Sequence, residues 1–257
     1  MKLRFLLPDL LPEFLAELNE TWIDQLENIR NEKLPVDYFQ FYKAVSSVYS
    51  SKIEGEEIDF DSFFKHKFLN VHYQPDYTRK ADDLFEAYQF IATHDLNTEN
   101  VRKAHALLSA NLLPKSEHGK IRTNPMFVIG NDDRIEYVAA SPSHVAIEME
   151  QLFKEIEIIK SRNLSPFEAF YYAAMIHVVF VKVHPFQDGN GRTARLMEKW
   201  FLLEQLGDKA EGIQLEKNYY LNLTDYFSNL RKLGLEYDHL DYTKSMDFLL
   251  MTIRSLI

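Results

Sequence analysis

Apolar residues recur at a helical step through most of the chain. Leu10, Phe14, Leu18, Trp22 and Leu26 fall four apart and predict an amphipathic helix over 9–31. A second helix is expected over 36–54, after Pro35 and ending at Gly55, a residue type suited to a helix C-terminus. Segments 76–95 and 98–113 read as two more, with Thr98 as a cap and Pro114 as a stop. The period then changes. Pro125–Gly130 and Ile135–Ala139 are short extended runs, and Asn131-Asp132-Asp133-Arg134 between them is turn material, so one β-hairpin is expected. Ser141-Pro142 opens a helix to about residue 160. Ser165-Pro166-Phe167-Glu168 opens another, with a capping serine, a first-turn proline and a glutamate placed to reach back. That helix, 166–183, is apolar on nearly every face and should be central. Helices over 190–206, 218–233 and 240–256 complete an all-α, mainly helical bundle with a single hairpin at about 123–140. Three regions follow: a helical 1–75 with a distinct helix at about 36–55, a core over 76–206, and a helical tail over 207–257.

Composition narrows the classes. Of 257 residues, 46% are apolar, enough for a substantial core, and cysteine is absent, which removes disulfides, thiolate metal sites and cysteine nucleophiles. The net charge of −10 carries no bulk basic footprint for nucleic acid or an anionic membrane. The opening MKLRFLLPDLLPEF is interrupted by Pro8 and Asp9 and lacks a small-residue cleavage site. The longest run free of Asp, Glu, Lys and Arg is Ala169–Val181, 13 residues, against the roughly 18 or more that a spanning helix needs. A soluble, cytoplasmic protein is expected.

One stretch carries chemistry: His184-Pro-Phe-Gln-Asp188-Gly189-Asn190-Gly191-Arg192-Thr-Ala-Arg195. A glycine-rich turn leading into a helix N-terminus makes an anion nest of backbone N–H groups and dipole. Arg192 and Arg195 share a face of that helix, at the end where cations are disfavoured by about 0.3–1 kcal/mol each. A bound polyanion reverses that sign, and the guanidinium fork suits phosphate oxygens. Asp188 is placed to hold Mg²⁺, which commonly bridges a carboxylate and substrate phosphates. His184, with an ordinary pKa near 6.5, suits a general base. Together these groups describe phosphate-ester transfer. A rival pattern exists, since Gly189–Ala194 fits Gly-x-Gly-x-x-Ala and Val178–Val183 resembles a preceding strand, but the chain lacks the strand–helix alternation of a dinucleotide fold. The acidic run Glu54–Asp59 reads as a solvated loop, and His66, His72, His94, His105, His118, His144 and His239 show no metal-ligand spacing.

HPFQDGNGRTAR resembles the signature of Fic-domain proteins at every defining position, and the resemblance extends over about 85–205, including Gly119-x-x-Arg122 and the spacing of His177 to His184. It implies a helical enzyme transferring AMP from ATP to a Tyr, Thr or Ser hydroxyl of a target protein, with release of pyrophosphate. His184 would deprotonate the hydroxyl, Asp188 would hold Mg²⁺, Gly189, Asn190, Gly191 and Arg192 would cradle phosphates, and Phe186 would anchor the core. The hairpin would be a flap that aligns the target by strand addition, with Phe127, Val128, Ile129 and Gly130 bordering the nucleotide and Tyr219 and Tyr220 near the adenine. Ser50-Ser-Lys-Ile-Glu54-Gly55 resembles the inhibitory motif of the family: Ser50 and Glu54 share a helix face, the hydroxyl can steady the carboxylate, and Glu54 would pair with Arg195 where a γ-phosphate belongs. The same residues would serve removal of AMP from a modified protein, or a nucleotide-sensing interaction module without turnover. Partners are therefore ATP, a target protein, and the chain itself through auto-modification or homo-oligomer formation.

Overall fold

The computed structural model describes residues 3–29, 37–130 and 133–256. The expected helix over 9–31 divides into α1 (Leu11–Ala16) and α2 (Glu20–Asn28), because Asn19 leaves the helical conformation and its side chain accepts from the Thr21 N–H, starting a new helix. Arg30 and Asn31 lie outside the described residues. Next come α3 (Tyr38–Ile53), capped by Asp37, and α4 (Phe60–Phe68), which the pattern did not signal and which Asp59 caps. Then follow α5 (Pro75–Ile91) and α6 (Thr98–Leu108). The cap of α6 is Asn97, one residue before the threonine expected.

The hairpin pairs β1 (Phe127–Ile129) with β2 (Ile135–Val138), with Val128 opposite Tyr137. Asn131 and Asp132 of the expected turn lie outside the described residues. On its other side β2 is tied to the tail, where Val138 N donates to Leu235 O at 2.8 Å. The free edge of this hairpin is β1.

Helices α7 (Pro142–Lys160), α8 (Pro166–Val183) and α9 (Asn190–Leu206) follow, and the capping box at Ser165 and Glu168 forms as its pattern indicates. The tail departs from two long helices. It is α10 (Leu215–Leu221), α11 (Leu223–Arg231) and α12 (Met246–Ile253), with short 3₁₀ turns before and after α12. Asn222, whose amide bonds back to Asn218, separates α10 from α11.

Central α8 packs on α9, α7, α12 and α1. It is long and apolar enough to cross a membrane, yet 78% of it is buried within the protein. One hydrophobic core runs from Phe5 through α8 and α9 to Leu256, so the three regions drawn along the sequence share it. A smaller cluster of Ala44, Val48, Ile58, Phe63, Ala81 and Phe85 joins α3, α4 and α5. Buried carboxylates cross-tie distant segments. Glu155 accepts from the backbone of Arg4, Phe5 and Leu6, and Glu216 accepts from Ser46 and Tyr88. The second tie fixes α3 against α5 and α10, and so sets where α3 ends.

Candidate active site

The turn between α8 and α9 is held by its own side chains. His184 ends α8 in a left-handed conformation, φ 55° and ψ 59°, with its N–H on Phe180 O. Asn190 then closes the turn. Its Oδ1 accepts from Phe186 N and its Nδ2 donates to Phe186 O, both at 2.8 Å. The Asn190 amide expected to face phosphate is thus spent on the turn, because a buried amide must satisfy both of its ends. Gly189 has φ 76°, and a Cβ there would meet Leu108 at 3.1 Å, so glycine is required.

Two residues without an assigned role support this turn from outside. His105 accepts from Gly119 N through Nδ1 at 2.9 Å, donates from Nε2 to Asp188 O at 3.0 Å, and stacks on Phe186 with ring centroids 3.7 Å apart. Burial lowers its pKa to about 4, which keeps it neutral, and the Gly119 N–H donated to Nδ1 fixes this tautomer. Its signal was present in the sequence, since it shares the apolar stripe of α6 with Val101 and Leu108. Arg122, 2% exposed, donates to the carbonyls of His184, Val183, Asn124 and Ala140. One guanidinium thus joins both ends of the hairpin to the backbone of His184.

The His184 ring donates from Nδ1 to Val181 O at 3.0 Å, leaving Nε2 with its lone pair. Burial lowers its pKa, the Val181 contact opposes this, and the nearby Arg122 charge lowers it further, so the ring is neutral at pH 7. His184 lines a cavity of about 180 Å³ with Glu54, Gly191, Arg195 and Tyr226, and Val128 closes it from the hairpin. Asp188 is exposed, with one carboxylate oxygen 2.6 Å from Gly189 N. No group of three acidic or histidine side chains suited to a metal occurs among the described residues.

Glu54, at the C-terminus of α3, meets Arg195 Nη2 at 2.6 Å. Burial opposes its ionisation, but the charges of Arg195 and Arg192 and the Arg195 hydrogen bond outweigh that and hold its pKa below the ordinary value. A Cβ on Gly191 would lie 2.5 Å from Glu54 Oε1, so the carboxylate rests on bare backbone at the start of α9, where an anion is favoured. Buried Arg195 also donates to Ser50 Oγ, Ser50 O and the Tyr226 hydroxyl. The expected Ser50–Glu54 contact is therefore corrected: the hydroxyl accepts from Arg195 Nε at 2.9 Å and positions the arginine instead.

The acidic loop is not simply solvated. Glu56 pairs with Arg192 at 3.2 Å and with Lys80 of α5 at 2.7 Å. Each arginine of the motif therefore meets one carboxylate from the segment after α3. Arg192 Nε is buried without a partner among the described residues.

The remaining expectations divide. Val128 faces the cavity, whereas Phe127 and Ile129, 46% and 64% exposed, alternate to the outer face as strand geometry requires. Gly130 packs against the Glu136 side chain. Tyr219 does not border the cavity. It is fully enclosed, with its hydroxyl on Glu198 at 2.7 Å and Thr252 at 2.8 Å, because α10 turns it inward. Tyr220 lies beside Tyr49 and Lys52, in a surface recess with Gly55 and Tyr77, separate from the cavity of His184. Tyr226, one turn into α11, takes the place on Arg195. A chain of contacts runs from it through His177, which donates to Glu198 at 2.6 Å.

The whole arrangement is a neutral histidine, an amide nest at a helix start and the buried Arg195 around one cavity. Residues 95–202 match the Fic/DOC family. Among curated relatives, a protein adenylyltransferase, fic-1, of Caenorhabditis briggsae is 32% identical over 104 residues, covering 40% of this chain and 18% of the relative. The protein adenylyltransferase Fic of Drosophila melanogaster is 29% identical over 109 residues, covering 42% and 20%. The chain thus spans about a fifth of the length of these relatives. A crystal structure of a Fic family protein from Desulfovibrio desulfuricans superposes with a TM-score of 0.71 at 17% identity, covering 93% of this chain and 73% of that one. A Fic domain containing signaling protein from Bacteroides thetaiotaomicron gives 0.69 at 17% identity, covering 92% and 93%. The helical fold with its hairpin is that of these proteins.

Proposed function

We propose that this chain is a protein adenylyltransferase that moves AMP from ATP to a hydroxyl of a target protein. The observation that carries the reading is His184, whose Nδ1 is committed to Val181 and whose free Nε2 shares a cavity with Gly191 and Arg195. Nε2 takes the proton of the target hydroxyl as that oxygen bonds to the α-phosphorus, and pyrophosphate leaves. The first-turn N–H groups of α9 and the two arginines receive the phosphates. The names of the curated relatives support the same chemistry. Mg²⁺ fits Asp188: a single accessible carboxylate suits an ion that completes its shell with phosphate oxygens and water, and it would neutralise phosphate charge there. The open edge of β1 would receive an extended target segment.

The wild-type chain is held back by Glu54, which lies on Gly191 and Arg195 in the position of a terminal phosphate. ATP radiolabelled at the α-phosphate, given to Glu54→Gly protein with Mg²⁺ and a cell lysate, should label a protein band, while label at the γ-phosphate should not. Wild type should label less, and His184→Ala in the Glu54→Gly background should not label. A γ-label signal would indicate phosphate transfer instead and overturn the reading.

One observation favours a second reading. The other Glu54 carboxylate oxygen accepts no hydrogen bond among the described residues, in a cavity that also holds His184. It could orient a water to release AMP from a modified protein. Release by wild type but not by Glu54→Gly would select that direction.

A further inference from the structure

The cavity of His184 has a second end, away from α9. Val128, Val181, Phe227 and Leu230 give it apolar walls, and one cation lies among them. Lys182 is 4% exposed and lines the cavity, yet its ammonium makes no hydrogen bond or ion pair among the described residues. Its recorded neighbour is the ring of Tyr137, 4.1 Å from Nζ to the centroid. The other charges at this end satisfy each other, Arg231 meeting Glu136 at 3.0 Å. The Tyr137 hydroxyl donates to Lys182 O at 2.6 Å, and it is the ring face, not this hydroxyl, that Nζ meets.

A buried ammonium without a counter-charge is costly unless a ligand completes it. The ligand must lie flat between apolar walls and present an acceptor at its edge, while its anionic part reaches the nest at α9. We propose that Lys182 reads the base of the donor nucleotide, donating from Nζ to a ring nitrogen or exocyclic oxygen. This rests on the nucleotide reading above. An ammonium has donors only, so an exocyclic amine facing it is mismatched and an acceptor is matched. Burial and the nearby Arg231 charge lower the Lys182 pKa to about 8, consistent with a cation left partly uncompensated.

The test is equilibrium binding of a panel to Glu54→Gly protein: ATP, GTP, UTP and the 1-, 3- and 7-deaza analogues of ATP, each lacking one ring acceptor. The parent should discriminate against at least one panel member by roughly 10–100-fold, the range for a buried donor left without its partner. Lys182→Met, with a stem of similar length and no donor, should flatten that discrimination. Lys182→Gln, which keeps a donor, should retain part of it. Melting curves check each fold, and the glutamine variant decides alone should the methionine variant fail to fold. A panel ratio unchanged by substitution, a uniform loss across the panel, or a parent that does not discriminate would overturn the proposal. Absence of binding by every nucleotide would instead strike the functional reading itself.

Discussion

Two regions meet at Gly191, and they are held by different physics. The turn from His184 to Asn190 is fixed by backbone, neutral amide and aromatic contacts: Asn190 on Phe186, and His105 on Asp188 and the Phe186 ring. The end of α3 is held to it through ion pairs, Glu54 to Arg195 and Glu56 to Arg192 and Lys80. Neutral buried bonds have one geometry and respond little to salt or pH near neutrality. Charge pairs at a partly exposed edge can open and be replaced by another anion. Under the proposed function, the difference separates a chemical frame from a releasable occupant, and it gives each region its own way to fail.

The largest expected break is in the frame. In Glu54→Gly protein, His184→Ala should lower the initial rate of label transfer by about 10²–10⁴-fold, the usual scale of a lost general base. On the other side, Glu54→Gly alone should raise transfer over wild type by roughly 10–100-fold, as expected for a charge-assisted bond of about 1.5–3 kcal/mol. An equal rate in both would remove Glu54 as the occupant. Asn190→Ala tests the frame without touching a charge. Losing two buried hydrogen bonds should cost about 2 kcal/mol and lower the melting temperature by about 4–8 °C. Glu56→Gln should raise wild-type transfer only about 2–5-fold, since its pair is partly exposed, and high salt should shrink that gap.

The smallest effect is in pH. Because the Glu54 pKa is depressed, its pairing is complete above the ordinary carboxylate range and is lost only as pH falls through that lower value. The His184 pKa is depressed too, so the neutral base persists below pH 6.5, and the rate of Glu54→Gly protein should stay flat there before falling. A rate profile of that variant breaking at or above pH 6.5 would contradict the burial of this ring.

Much of this was legible in the chain. The capping box at Ser165, the all-apolar α8 and the glycine-rich turn are local features, and local sequence specified them. The motif named its histidine and arginines because few structural demands place such groups together at a helix start. The breaks at Asn19 and Asn222 were missed because one polar residue can interrupt a periodic pattern without disturbing its period. Tyr219 was misplaced and Tyr226 overlooked for a related reason: α10 and α11 are separate helices, and their rotation decides which ring enters the core.

The sequence by itself determined the helical bundle, the hairpin, the chemistry of residues 184–195 and the presence of a carboxylate at the end of α3. Tertiary structure decided which groups meet. That Ser50 serves Arg195, that Glu56 reaches Arg192 and that Lys182 has no counter-charge among the described residues are outcomes of packing. Hydrogen bonds and ion pairs between residues more than a hundred positions apart leave no period in a sequence, and only the buried ties that fix α3 against α9 bring them within reach.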